Sequence, residues 1–120
     1  MANDVRLDVR SQDGVRVVTF GAAAALDTAA VRLISPALYA LVDGEDSTPM
    51  VLDLGPICFL SSQALGVLLN LRRRAETAGV AIALAGVRAE LVRLFEITNL
   101  DQLFVFCDSV ATAVKCLAGE

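Results

Sequence analysis

Val51-Leu52-Asp53-Leu54-Gly55-Pro56-Ile57-Cys58-Phe59-Leu60-Ser61-Ser62-Gln63-Ala64-Leu65-Gly66 is the most informative stretch of the chain. Met50 to Leu54 is short and nearly continuously apolar, the pattern of a central parallel strand covered on both faces. Gly55-Pro56 breaks it, and Ile57 to Leu60 reads as an apolar loop that must be largely covered. Ser61-Ser62 then precedes a long helical pattern. Leu65, Leu68, Leu69, Arg72, Ala75 and Ala78 trace the faces of that helix, and Gly79 marks its end.

The flanking sequence extends the alternation of strand and helix. Val5, Leu7 and Val9 alternate with Arg6, Asp8 and Arg10, a half-buried strand whose charges suit a sheet edge. Asp13-Gly14 is a turn signal ahead of a second strand over Val15 to Phe20, so the two form an antiparallel hairpin. Asp27-Thr28 opens a helical pattern carried by Val31, Ile34, Leu38 and Leu41. Pro36 either kinks this helix or begins a second one with Ser35 as its cap. Beyond Gly79, Val80 to Ala85 reads as a buried strand, Ala89 to Thr98 as a helix, and Leu103 to Phe106 as a strand. Asp108-Ser109 caps a last helix. The predicted order is β-β-α-β-α-β-α-β-α. It describes an α/β fold over a single domain, 1–120, with a mostly parallel sheet and an antiparallel N-terminal edge hairpin.

Composition narrows the function classes. The chain has 120 residues, is 56% hydrophobic and carries a formal charge of -4. Such apolar content excludes a disordered chain, and the acidic balance argues against nucleic acid or an anionic membrane as partner. Its longest strongly apolar run, Val80 to Val87, is far short of the ~20 residues that cross a bilayer. The N-terminal residues lack the pattern of a signal peptide, so a soluble, cytoplasmic protein is expected. With no His and no paired Cys motif, the usual zinc and haem ligands are lacking, and neither cofactor nor metal is expected. Cys58, Cys107 and Cys116 read as buried or half-buried thiols in a reducing compartment.

The quoted stretch resembles the STAS-domain signature, in which a strand ending Asp-Leu leads through an apolar loop to Phe-Ile/Leu-Asp-Ser-Ser-Gly-Leu-Gly at the head of a helix. Ala25-Leu26-Asp27 is similar to the family's Gly-x-Leu-Asp. Ala83-Leu84-Ala85-Gly86-Val87 is similar to its fourth-strand exit, and Leu94 to Phe104 to its Leu-x-Leu-x-Gly-Leu-Asp-x-Leu-Phe segment. The pieces occur in the family's order over nearly the whole chain. The resemblance is to the anti-sigma-factor antagonist type. It implies a regulatory module that binds an anti-sigma factor, a histidine-kinase-like serine kinase, and is switched by phosphorylation of one serine. Ser62 matches that serine. Ser61 stands where the family usually has Asp, Gln63 where a second Ser is common, and Ala64 where Gly is usual. Losing the Asp removes a charge and an acceptor beside the hydroxyl, so Ser61 is the alternative phosphorylation site. Asp27, Ser61, Ser62 and Gln63 are the partner-binding residues that the resemblance implies.

The residues have physical readings of their own. A serine just ahead of a helix ordinarily caps it, and Asp27 has the same capping role open to it. A helix N-terminus also tolerates a phosphate, because its free N–H groups and dipole favour negative charge. Asp53 suits a loop-bonding role at a strand end. The run Arg72-Arg73-Arg74 reads first as a solvated helix face with one stem laid along the sheet side, and second as an aid to docking an acidic partner. Catalysis is not expected: a serine nucleophile needs a neighbouring base, and the chain has no His and no Gly-x-Ser-x-Gly elbow. The competing reading is a STAS domain of another signalling or lipid-transport assembly, with the serine step purely structural.

Overall fold

Val15 and Val17 point to one side of strand β2 (Val15–Gly21), Val18 and Phe20 to the other, and each pair enters a different core. The computed structural model describes residues 5–119; the extremes of the expected 1–120 domain lie outside the described residues. Strand β1 (Val5–Gln12) pairs antiparallel with β2 across the Asp13-Gly14 turn, where both residues have positive φ (53° and 79°). Such a pair of left-handed residues matches the twist of a two-residue hairpin. Next come β3 (Ala25–Leu26), α1 (Thr28–Asp43), β4 (Met50–Asp53), β5 (Phe59–Leu60) and α2 (Ser62–Ala78). The chain ends with β6 (Ile82–Ala85), α3 (Ala89–Ile97), a 3-10 turn at Asp101–Leu103, β7 (Val105–Cys107) and α4 (Val110–Leu117).

The main sheet has the order β1-β2-β4-β6-β7, antiparallel at β1–β2 and parallel elsewhere. The expected α/β architecture with its N-terminal edge hairpin is therefore present. Period-two alternation continues across the sheet. Met50, Leu52 and Leu84 join the larger core, which takes in buried residues of α1, α2 and α3. Val51, Ala83 and Ala85 face the other way, where Ala113 and Val114 of α4 cover them. Small side chains on that face leave room for a single helix. No polar or charged residue is buried among those described.

Pro36, where the sequence leaves a kink and a second helix both open, lies inside one continuous helix. The ring removes the N–H that would bond the Arg32 carbonyl, yet Val31, Ile34, Leu38 and Val42 hold both halves on the same core. The last strand starts later than its apolar pattern suggests, because Leu103 closes the 3-10 turn. The thiols are not all covered: Cys58 and Cys116 are exposed and only Cys107 is half-buried.

Two polar clusters tie elements together. Arg16 donates to the Leu41 carbonyl (2.8 Å) and the Thr48 carbonyl (2.7 Å), fixing the exit of α1 beside the entry to β4. Asp46 lies 3.8 Å from Arg16, and hydrogen bonds from the Thr48 hydroxyl and N–H hold its carboxyl below the usual range. The arginine run of α2 divides its labour. Arg72 is half-buried and donates to the Leu103 carbonyl, while Arg74 bonds Asp43 at 2.6 Å and stacks over Tyr39. Arg73 alone of the three is exposed without a side-chain partner among the described residues.

Candidate partner-binding site

A second, two-stranded sheet builds the site. β3 and β5 pair in parallel, Ala25 against Phe59 and Leu26 against Leu60. The Cys58 N–H donates to the Ala24 carbonyl (2.7 Å) and the Ser61 N–H to the Leu26 carbonyl (3.0 Å), extending the pairing at both ends. Leu26 and Leu60 are buried and anchor it from below. Each strand then passes through a single residue into a helix. Asp27 links β3 to α1, and Ser61 links β5 to α2. Because the strands are paired in register, the two helices begin side by side.

Both linking residues are caps. Asp27 Oδ1 accepts from the Ala30 N–H at 2.8 Å, and Ser61 Oγ accepts from the Ala64 N–H at 3.0 Å. Each satisfies one of the donors that a helix start leaves without an intrahelical partner. The capping role therefore falls to Ser61. Ser62 is the first residue of α2, is exposed, and makes no side-chain hydrogen bond among the described residues. Gln63 follows it, also exposed. The four expected contact residues Asp27, Ser61, Ser62 and Gln63 thus gather at the adjacent starts of a 16-residue and a 17-residue helix. Two positive dipole ends meet there.

Asp53 stands apart in role. Its Oδ1 accepts from the Gly55 N–H at 3.0 Å and shapes the turn that leaves β4. Gly86, with φ of +68°, comes close behind: a Cβ there would lie 3.4 Å from the Gly55 Cα. The two glycines let the exits of β4 and β6 approach. The described residues contain no cluster of three or more His, Cys, Asp or Glu suited to a metal ion, and no helix long and apolar enough to cross a membrane.

Sequence reasoning missed two features here. The 57–60 loop is not covered throughout: Ile57 and Leu60 are buried, but Cys58 is exposed and Phe59 is 50% exposed. Pairing with β3 turns Phe59 outward, leaving an aromatic ring at the surface two residues before Ser61. Ile57 and Phe59 stand two residues apart yet face opposite ways, so no period-two signal in the apolar run marks Phe59 as exposed. The second feature is a groove of about 360 Å³ between α1 and α2, lined by Val31, Arg32 and Ser35 on one side. Gln63, Gly66, Val67 and Asn70 line the other. Its signal was the spacing of small and polar residues Ser62, Gly66 and Asn70 along one face of α2.

The sequence model of the STAS domain matches residues 6–113, and the chain belongs to the STAS domain family. Solved structures of similar shape include an anti-sigma-factor antagonist (STAS) domain protein from Planctomyces limnophilus. It has a TM-score of 0.83 and 20% identity, covering 93% of this chain and 97% of that one. An anti-sigma factor antagonist from Mycobacterium paratuberculosis superposes with a TM-score of 0.81 at 22% identity, over 98% of this chain and 97% of that one. The anti-sigma factor antagonist SpoIIAA in its unphosphorylated form gives 0.76 at 17% identity, over 96% of this chain and 98% of that one. At these identities the structural likeness speaks to the fold.

Proposed function

We propose that this chain is a regulatory protein-binding module of the anti-sigma-factor antagonist kind, acting in the cytoplasm by binding and without chemistry of its own. Its partner is an anti-sigma factor that is also a histidine-kinase-like serine kinase, and phosphorylation of Ser62 switches the complex off. The observation that carries this reading is the division of labour between the two serines. Ser61 is committed to the cap, whereas the Ser62 hydroxyl is exposed and unengaged. A phosphate on Ser62 leaves the helix start intact, because the N-terminal N–H groups and dipole favour negative charge. It nevertheless adds about -1.5 to -2 charges to a face that already carries Asp27. A partner docked over Asp27, Ser61, Ser62 and Gln63 then meets repulsion and the cost of desolvating the phosphate, and the chain itself need not move.

Intact-mass and fragment analysis of protein purified from its native cell tests the assignment. One phosphate on Ser62, retained in Ser61→Ala and absent from Ser62→Ala, supports it. Phosphate on Ser61 transfers the switch to the alternative residue. An unmodified chain under all growth conditions overturns it and favours a constitutive STAS module in another assembly.

A further inference from the structure

The groove beside Ser62 has a chemistry distinct from the rest of the surface. Val31 and Val67 give it apolar walls, Ser35, Gln63 and Asn70 give it neutral polar groups, and Arg32 is its one charge. The space over Gly66 is open, since a Cβ at that position would meet nothing within 4 Å. Ser62, Gly66 and Asn70 follow one another at i, i+4 and i+8 on α2, so the groove descends the helix face that Ser62 heads.

Arg32 is exposed and takes part in no ion pair among the described residues. Arg16, Arg72 and Arg74 are committed elsewhere, the first two to carbonyls and the third to Asp43. The chain as a whole carries a formal charge of -4. A carboxylate is therefore repelled by the protein's overall field and attracted at this groove, where Arg32 lies below the positive ends of two helices.

We infer that the groove takes an acidic amphipathic segment of the partner protein, a carboxylate pairing with Arg32 and apolar side chains resting on Val31 and Val67 over Gly66. The inference rests on the proposed reading of the Ser62 face as a regulated partner surface. It gives the regulation a local cause: a Ser62 phosphate stands at the head of the groove and repels the incoming carboxylate.

The test uses the full chain, 15N-labelled, and two synthetic amphipathic peptides of one Leu-rich pattern, with Glu at the polar positions of one and Lys in the other. The Glu peptide is expected to shift the amides of Val31 to Ser35 and Gln63 to Asn70, and to bind more tightly than the Lys peptide. Arg32→Glu should weaken it by about tenfold or more, the scale of a reversed charge in an interface. Gly66→Leu should weaken it by filling the groove, and Arg93→Glu, an exposed charge on α3, should not. Thermal midpoints matching wild type exclude misfolding as the cause. Equal binding of the two peptides, binding of neither at millimolar concentration, or an Arg32→Glu effect no larger than that of Arg93→Glu overturns the inference. Ser62→Asp separates it from the switch. If Arg32→Glu weakens the Glu peptide and Ser62→Asp does not, the groove stands and the switch falls. If only Ser62→Asp weakens it, the switch stands and the groove falls.

Discussion

Asp27 and Ser61 occupy equivalent positions on neighbouring elements: each stands one residue beyond the paired Leu26 and Leu60, and each caps the helix that follows. This equivalence sets the geometry of the site. It also leaves the Ser62 hydroxyl without a capping role, because Asp27 and Ser61 hold the two helix starts.

Ser61→Ala removes the cap of α2 and leaves the Ala64 N–H without its acceptor. The expected loss is about 1 kcal/mol, as for other cap deletions. Ser62→Ala removes only an exposed hydroxyl, and its effect should stay within about 0.5 kcal/mol. Urea denaturation of the two variants checks the order. A larger loss for Ser62→Ala would mean that its hydroxyl has a structural role.

Asp27 carries a cap and a charge, and two substitutions divide them. Asp27→Ala should cost about 1 kcal/mol, whereas Asp27→Asn keeps an acceptor for the Ala30 N–H and should cost far less. If Asp27 touches the partner through its charge, Asn weakens binding while leaving the thermal midpoint near wild type. If its role is the cap alone, only Ala has an effect, and the midpoint falls with it.

Phe59 is half exposed beside the caps, an arrangement that favours a partner contact over a core role. Phe59→Ser should therefore change stability by less than about 1 kcal/mol while weakening partner binding, since surface substitutions rarely reach the larger figure. Calorimetric unfolding and binding titration of the same sample measure the two effects together.

The three thiols should differ in reactivity. Burial pushes the Cys107 thiol up, and the neighbouring Cys116 and Asp108 add to the shift. A raised pKa means less thiolate at a given pH, and the thiolate is the reactive form. In the folded protein at about pH 8, near the ordinary thiol pKa, alkylation should reach Cys58 and Cys116 before Cys107. In urea the three should react alike. By the same sign, the unfolded chain releases the Cys107 proton first, so this residue's contribution to stability declines as pH rises above the ordinary thiol range.

Much of this architecture was legible in the order of patterns. The continuous apolar run at Met50 to Leu54, the alternation in Val5 to Val9 and the Asp13-Gly14 turn each follow from local chemistry, and the sheet assembles them as read. The pairing of Ala25-Leu26 with Phe59-Leu60 was not legible. Two-residue strands have no periodicity to detect, and they meet across 34 residues of sequence only because α1 packs on α2. The choice between Ser61 and Ser62 as cap turned on a one-residue boundary, which capping preference alone leaves open. Likewise the arginine run reads first as a solvated helix face and second as a docking aid. Its two ordered members hold Leu103 and Asp43, and the unpaired charge beside the site is Arg32, a lone arginine in an apolar helix.

Binding of the proposed anti-sigma kinase partner to wild type, Ser62→Ala and Ser62→Asp, compared by titration at equal salt, tests the Ser62 switch most directly. Wild type and Ser62→Ala should bind alike, and Ser62→Asp should lose the complex while keeping a wild-type thermal midpoint. Equal affinity of Ser62→Asp and Ser62→Ala would contradict the switch.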